Sequence, residues 1–214
     1  EIFHRTQTHP SHPPVVMTVW GDHSEKKIAG NTTFTSKALY FSMSDHAGTH
    51  VDAPVHFDPR PDALSVEQMP LEKFYTSAIC LDLSHVPLKH AITVKEMEAA
   101  LAKSGQEIRK GDTVLIWMAT NERLLGKPGY VHDFPGLALE SVHWLADRGI
   151  GMFGVEAISP APEGELNFQA HMALVYRSMQ IITNPHCYAF LAMLPEFSCL
   201  PAKLAGQAES QIQK

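Results

Sequence analysis

Residues 44–57 read SDHAGTHVDAPVHF, a stretch that is unusually dense in histidine and aspartate. His46 and His50 are four residues apart, and Asp52 follows two residues later. Imidazole nitrogens and carboxylate oxygens are the ligands that borderline divalent cations take together. If the segment turns back on itself at Gly48, all three side chains can reach one ion. The spacing therefore predicts a divalent-metal site formed by these three residues.

A further histidine, His56, lies six residues past His50 and two past Pro54, which stiffens the backbone before it. In this position it can lie beside a bound metal without binding it. An imidazole pKa near neutrality suits general acid/base chemistry at such a place. A single loop histidine is more often simply solvated, but the whole cluster, with glycine and proline between its members, is not typical of a solvated loop. His56 is therefore the candidate catalytic residue.

Apolar runs and helix-capping signals alternate along the rest of the chain. Thr93 and Glu96 form a capping-box pattern at the start of a helix that Gly105 ends. Such alternation is typical of α/β domains. We expect a single compact α/β domain over residues 15–206, with a mixed β-sheet core flanked by helices. The predicted strands are residues 15–20, 33–44, 80–83, 113–118, 150–155 and 179–182, and the predicted helices are residues 93–104, 139–148 and 167–176.

Both ends of the chain lack the periodicity of regular structure. Residues 1–14 are rich in proline and histidine, but His4, His9 and His12 do not have the spacing of metal ligands. We therefore expect an extended, solvated N-terminal arm. Residues 207–214 are predicted to form a polar, frayed tail.

The composition argues against several functions. The formal net charge is −6 and no Lys/Arg run is present, so we expect no nucleic-acid partner and no membrane partner. No apolar stretch approaches the roughly 18 residues of a membrane-spanning helix. The three cysteines form no C-x-x-C pair, which argues against a disulfide framework and leads us to expect a cytoplasmic protein. Patterns typical of serine hydrolases or nucleotide-binding loops are also absent from the sequence.

Residues 46–56 resemble the H-x-G-T-H-x-D-x-P-x-H signature of the metal-dependent cyclase-like amidohydrolases, a family that includes bacterial kynurenine formamidases and isatin hydrolases. The signature is long and specific, and a chance match is improbable. Other blocks resemble the family in the same order, so that the resemblance runs from about residue 18 to about residue 206. These blocks are Trp20-Gly21-Asp22, residues 111–116, residues 134–137, residues 154–159 and the late histidine His171.

The resemblance implies a cyclase-like fold, assembly as a homodimer or homotetramer, and hydrolysis of an amide C–N bond. It implies that His46, His50 and Asp52 are metal ligands and that His56 is the acid/base residue. It also places His171 at the metal pocket, either as a ligand of a second metal or as a substrate contact.

The chain departs from the family pattern at Thr183 and at Glu156, and its Trp20-Gly21-Asp22 block lacks the family's proline. Thr183 stands where the two-zinc formamidases carry a glutamate that bridges their metals, and a neutral hydroxyl is a poor bridge. The resemblance therefore favours one divalent ion, with manganese preferred and zinc an alternative, as in the isatin hydrolases. Gln169, two residues before His171, is a further candidate metal or substrate contact, and the Thr183 hydroxyl is a candidate for a proton path. Glu156 replaces the usual aspartate, and the sequence offers no explanation for it.

These features together predict metal-activated water that opens a cyclic amide such as isatin. Trp20 and Phe57 are the candidates for stacking against a small, flat aromatic substrate. Two alternatives stay open at this point. One is an arylformamidase that hydrolyses N-formylkynurenine, and the other is a non-catalytic binding protein that the metal only stabilises.

Overall fold

The computed structural model describes residues 2–175, 180–183, 197–198 and 209–211. A short 3₁₀ turn follows the fifth strand, at Pro54–His56. The described strands are β1 (Val16–Gly21), β2 (Lys27–Ala29), β3 (Thr32–Phe34), β4 (Ala38–Ser42), β5 (His50–Asp52), β6 (Tyr75–Thr76), β7 (Ala78–Asp82), β8 (Ala91–Ile92), β9 (Thr113–Trp117), β10 (Gly136–Leu137), β11 (Met152–Val155), β12 (Gln180–Thr183), β13 (Phe197–Ser198) and β14 (Glu209–Gln211). The described α-helices are α1 (Val94–Ser104), α2 (Thr120–Leu124), α3 (Leu139–Asp147) and α4 (Glu165–Val175).

The main sheet of the described chain has the strand order β14-β5-β12-β11-β9-β7. Strands β7, β9, β11 and β12 run parallel to one another, whereas β5 lies antiparallel between β12 and β14. The helices α1, α3 and α4 follow the strands in sequence and pack on the sheet or on one another. The predicted α/β class with a mixed sheet is therefore confirmed.

Two apolar layers cover the faces of this sheet, because successive side chains of a strand point to opposite sides. On β9, Val114 and Ile116 pack toward the helices, together with Phe153 of β11. Leu115 points the other way, into a smaller cluster that also contains Val51 of β5. The hydrophobic core thus anchors β5, the strand inside the histidine-rich segment, from one side.

Helix α1 begins and ends as the sequence predicts. The Thr93 hydroxyl accepts the Glu96 backbone N–H at 3.4 Å, and the Glu96 carboxylate accepts the Thr93 N–H at 2.8 Å. Gly105 ends the helix in a left-handed conformation with φ of 66°. The predicted strands at residues 15–20, 113–118 and 150–155 are confirmed with small shifts at their ends.

Three local predictions are wrong. The strand predicted over residues 33–44 is divided between β3 and β4, and β4 pairs with β1 in a separate two-stranded ribbon. Residues 46–57 are dense in glycine, histidine and proline and have no helical period, which predicts a loop, but residues 50–52 form β5. The tail expected to fray contributes β14, which pairs with β5. Strands β5 and β14 are each three residues long, which is too short for a period-two pattern to be recognised.

The N-terminal arm, residues 2–14, has no regular secondary structure, as expected, but it is not simply solvated. Gln7 donates from its side-chain amide to the Lys127 carbonyl at 3.0 Å and accepts the Gly126 N–H at 2.9 Å. These two hydrogen bonds connect positions about 120 residues apart, so local sequence carries no sign of them. Among the described residues, no helix has the length and apolar character to cross a membrane.

Candidate metal centre

The turn before β5 sets the first ligand position. The Ala47 N–H donates to the Ser44 carbonyl at 3.1 Å, and Gly48 has a positive φ of 72°. A Cβ atom at Gly48 would lie 2.8 Å from Cγ1 of Ile2, so glycine is required there for both space and backbone conformation. The tight turn brings His46 back toward the strand that follows.

Strand β5 sets the next two positions. His50 and Asp52 are two residues apart on an extended strand and therefore share one face, while Val51 points into the apolar core. Pairing with β12 on one side and β14 on the other holds the strand in the sheet. Both polar side chains are buried, which is unusual for an aspartate unless a charged partner accompanies it.

Hydrogen bonds fix which ring nitrogen each histidine offers. His50 donates from Nδ1 to the Gly48 carbonyl at 2.9 Å, and His171 donates from Nδ1 to the Asn167 carbonyl at 2.8 Å. In a neutral ring this leaves Nε2 with a lone pair. The His50 Nε2 lies 3.3 Å from Oδ1 of Asp52, and the His171 Nε2 lies 3.9 Å from Oδ2. Lone pairs that face a carboxylate at such distances suit a shared cation.

Burial keeps the rings in the form that binds metals. It lowers the pKa of His46 to about 2 and that of His56 to about 4, and the charge of Asp52 opposes the shift only in part. The pKa of His171 is lowered as well, chiefly by burial. Histidines with such values are neutral near pH 7, and neutral imidazole is the ligand form.

Two overlapping groups of potential ligand atoms result. The atoms of His46, His50 and Asp52 lie within 4.8 Å of one another, and so do those of Asp52, His56 and His171. Asp52 belongs to both groups. The structure thus brings together the residues expected to form a metal site. Their nitrogen and oxygen donor atoms fit a divalent cation such as zinc or manganese. His56 can act as a ligand in the second group, which the spacing alone did not indicate.

Aromatic rings form part of the cavity that contains these groups. The Phe57 ring stacks on His171 with centroids 4.5 Å apart and an interplanar angle of 22°. Phe168 of α4 lies 6.3 Å from Phe57, centroid to centroid, and also lines the cavity. Phe57, a predicted substrate contact, is therefore at the site, whereas Phe168 had no distinguishing sequence signal.

The N-terminal arm also reaches the cavity. The His12 ring stacks on His46 with centroids 4.1 Å apart and an interplanar angle of 24°. His9 lines the cavity near His12, at 5.8 Å between centroids. The expectation that these arm histidines are solvated is therefore wrong. They lack ligand spacing because a contact across the fold, rather than a local turn, brings them to the site.

The other predicted site residues lie elsewhere or are only partly described. Trp20 is 78% exposed on β1 and does not line the cavity. Gln169 is exposed and donates to the Glu165 carboxylate at 2.9 Å, because two residues along a helix rotate a side chain by about 200° from His171. Thr183 of β12 is paired with His50 in the sheet register.

Glu156, the unexplained departure from the family pattern, has a structural role. It follows β11, is 2% exposed, and accepts the backbone N–H groups of Met118 and Thr120 at 2.8 and 2.6 Å. Between those two residues, Ala119 has a positive φ of 54°. Burial raises the pKa of Glu156 to about 7. The carboxyl group thus stabilises the turn after β9 and does not line the cavity.

Known proteins share this sequence pattern. The family model named Cyclase matches residues 6–162. The kynurenine formamidase of Erythrobacter litoralis is 28% identical over 141 residues, which cover 66% of this chain and 58% of that protein. The kynurenine formamidase of Bordetella pertussis is 27% identical over 147 residues, which cover 67% of this chain and 62% of that protein. The match therefore spans about three fifths of the length of these relatives.

A solved structure shares the architecture. The crystal structure of an isatin hydrolase bound to the product analogue thioisatinate has a TM-score of 0.78 at 18% identity, over 98% of this chain and 85% of that chain. At this identity the likeness concerns the fold. The family model, by contrast, spans most of the chain and includes the whole of the segment at residues 44–57. This chain therefore belongs to the Cyclase family.

Proposed function

We propose that this chain is a metal-dependent hydrolase that cleaves an amide C–N bond in a small aromatic substrate. The observation that carries the proposal is the position of Asp52, whose two carboxylate oxygens face His50 and His171. These groups line a cavity that Phe57 and Phe168 border with flat apolar rings. The kynurenine formamidases and the isatin hydrolase among the similar proteins support the same class of reaction.

His46, His50 and Asp52 would hold one divalent cation, which supplies a Lewis acid for a carbonyl and lowers the pKa of water. Thr183 supports a single ion, because it stands at the position where a bridging glutamate would be expected. Manganese is our first choice through the resemblance to isatin hydrolases, and zinc is the alternative because both metals accept this ligand set.

His56 is proposed to move the proton. Its ring centroid lies 4.2 Å from that of His46 and 5.9 Å from that of His171. Burial lowers the pKa of His56 to about 4, so the ring is neutral near pH 7 and can accept a proton from the attacking water, although a pKa this low makes it a weaker base than an exposed imidazole. As the C–N bond breaks, His56 gives that proton to the leaving nitrogen, so that water is divided between a carboxylic acid and an amine.

The proposed substrate is a cyclic aryl amide such as isatin, and an N-formyl arylamine such as N-formylkynurenine is the second candidate. The second candidate draws support from the second ligand group, Asp52, His56 and His171, which suits a site with two ions. In that case His56 would be a ligand, and the acid/base role would fall to another group.

Turnover of isatin and N-formylkynurenine by protein loaded with manganese or zinc, together with metal content per chain, tests the proposal. We expect one ion per chain, hydrolysis of isatin, and loss of turnover with retained metal in His56→Ala. Two tightly bound zinc ions with turnover of the formamide would favour the arylformamidase. Binding of metal without hydrolysis of either compound would favour a non-catalytic binding protein.

We also propose that the chain forms a homodimer or homotetramer through the β1–β4 ribbon. The register places Met17 opposite Phe41 and Val19 opposite Leu39, so these four side chains share one apolar face. Val19, Leu39 and Phe41 are each more than half exposed. A two-stranded ribbon is marginally stable alone in water, and such patches commonly mark protein interfaces. Light scattering on the chain and on Leu39→Lys tests this, and a monomer in both would contradict it.

A further inference from the structure

Two residues of the N-terminal arm, His9 and His12, reach the cavity through a β-turn of their own. The His12 N–H donates to the His9 carbonyl at 2.9 Å, with Pro10 at the second position of the turn. Proline favours that position because its ring holds φ near −65°. Both imidazole rings line the cavity, with centroids 5.8 Å apart. The turn therefore presents two rings to the cavity in a preset arrangement.

Hydrogen bonds within the turn fix the tautomer of His9. The Ser11 N–H donates to the His9 Nδ1 at 3.3 Å, and the Ser11 hydroxyl lies 2.7 Å from the same nitrogen. A ring nitrogen that accepts a backbone N–H carries a lone pair, so the hydrogen of the neutral ring is on Nε2. Burial lowers the pKa of His9 below its usual value, which favours the neutral ring near pH 7. His9 therefore has an N–H donor on the side of its ring away from Ser11.

That donor has no acceptor among the described residues. The charge of Glu163 acts on His9, but both Glu163 oxygens are held by the His132 Nδ1, at 2.9 and 3.0 Å. The His9 Nε2 also keeps accessible surface, unlike the enclosed and unpaired Oδ1 of Asn167, and His9 lines the cavity. A molecule inside the cavity can therefore reach this nitrogen, and an oxygen acceptor is the group that would pair with it.

The position of His9 indicates which oxygen it can bind. Its ring contacts that of His12, which in turn stacks on His46 at 4.1 Å, so His9 lies one ring farther from the candidate metal ligands. An oxygen bound to His9 is therefore a second oxygen of the substrate, distinct from the carbonyl oxygen of the amide that is cleaved. Both candidate substrates have such an oxygen, because a ketone lies ortho to the amide nitrogen in isatin and in N-formylkynurenine.

We propose that His9 is a substrate-binding residue that donates its Nε2 hydrogen to the ketone oxygen of an ortho-acyl aryl amide, an inference that rests on the proposed amide hydrolysis. The hydrogen bond holds the ketone at the arm, while the neighbouring amide carbonyl faces the 44–57 segment, which lines the same cavity. The cavity should therefore prefer aryl amides that carry the ketone to those that lack it.

Calorimetric binding of isatin and of oxindole, the same lactam without the ketone, tests this inference. The metal-loaded protein carries His56→Ala to prevent turnover, and if turnover persists, the KM for isatin replaces its calorimetric affinity. Added His9→Phe removes the donor but keeps an aromatic ring, and isatin should bind about tenfold more weakly, the effect of one hydrogen bond. Oxindole should bind as before. His9→Gln keeps an N–H donor and should retain most of the affinity for isatin. His4→Phe, at an exposed histidine of the same arm, is the matched control and should change neither affinity.

Metal content per chain should not change in the His9 variants, since His9 belongs to neither ligand group. Equal losses for isatin and oxindole, or no loss for isatin, would overturn the inference. Should His9→Phe fail to fold, nitrogen NMR decides, because the His9 Nε2 signal should shift on addition of isatin but not of oxindole.

The proposed hydrolysis can fail separately. If His9 gives isatin its advantage but protein with an intact His56 hydrolyses neither isatin nor N-formylkynurenine, the role of His9 stands and the proposed hydrolysis is wrong. If neither lactam binds, ortho-formamidoacetophenone and formanilide, an open-chain pair with and without the ketone, replace them. Absence of a His9-dependent preference in that pair as well would overturn the inference.

Discussion

The N-terminal arm and the 44–57 segment each carry three histidines, and both reach the same cavity by different means. In the 44–57 segment, a turn at Gly48 and the strand β5 place His46 and His50 through contacts only a few residues long. In the arm, His12 reaches His46 only because the arm crosses the fold. Both segments contain three histidines, but the contacts that position them join residues close in sequence in the 44–57 segment and residues far apart in sequence in the arm.

That difference separates two kinds of function. Side chains that a local turn and a core-anchored strand hold in place are suited to bind a cation, because the sheet and the core fix the backbone that carries them. A side chain placed by an irregular arm covers the site and shields it from water. Substitutions in the two segments should therefore have effects of different size. Those in the 44–57 segment should change the metal content, whereas those at His12 in the arm should change only the metal affinity.

The largest effect is expected from Asp52→Asn, because Asp52 belongs to both ligand groups. Loss of its charge should remove metal from the dialysed protein and reduce hydrolysis by more than about 100-fold, beyond the 10- to 100-fold typical of residues that only support ligands. Elemental analysis per chain and initial rates on isatin measure the two effects.

Asp45→Asn is the matched control. Asp45 lies 3.8 Å from His46, between its Oδ1 and the ring Nε2, but belongs to neither ligand group. It should keep its metal and most of its rate. If both variants lost metal equally, simple charge around the histidines would explain binding, and the assignment of Asp52 as a shared ligand would be wrong.

The same contrast explains what could be predicted from sequence. The capping box at Thr93 and the ligand candidates at His46, His50 and Asp52 depend on contacts within a few residues, and short spacings reveal such contacts. His9 and His12 depend on a chain crossing, which short spacings do not reveal.

Trp20 presents the opposite situation. Its place in a family-like block suggested a substrate contact, but it lies on a two-stranded ribbon whose side chains are largely exposed. A short motif can mark a residue as functionally important, but it does not show which sheet the strand that carries the residue joins. Glu156 was similarly unexplained, because its partners are backbone N–H groups on another strand.

Glu156 lies outside both histidine-rich segments and serves stability, and its pKa of about 7 makes this testable by pH. The folded state holds the proton more tightly than the unfolded chain, whose pKa is near 4.5. The stability that the protonated group contributes is present below about pH 4.5 and is lost as the pH rises through about 7. Glu156→Gln mimics the protonated form and should match the parent at pH 4.5 but exceed it at pH 8, by up to ~3 kcal/mol.

Urea unfolding of both proteins in chelator, at several pH values, measures this difference without a contribution from bound metal. Glu107→Gln changes an exposed carboxylate and should show no such trend. A constant offset between Glu156→Gln and the parent across the pH range would contradict a raised pKa. Loss of stability at all pH values would instead show that the charged carboxylate is required to hold Met118 and Thr120.

The smallest effect is expected in the arm. His12→Ala removes the ring that stacks on His46 and should weaken metal affinity by about tenfold, as for residues that orient ligands without binding. His12→Phe keeps a stacking ring and should recover most of that loss, although it gives up the 3.4 Å contact between the His12 Nδ1 and the Ser44 hydroxyl. His4→Ala is the control, since His4 is exposed in the same arm and its hydrogen bond among the described residues is to the Met17 N–H. Competition titration against a metal indicator measures all three.

Equal metal affinity in His12→Ala and His4→Ala would mean that the arm merely lies over the site. A loss of affinity in His12→Phe as large as that in His12→Ala would instead show that the His12 nitrogen has a role of its own.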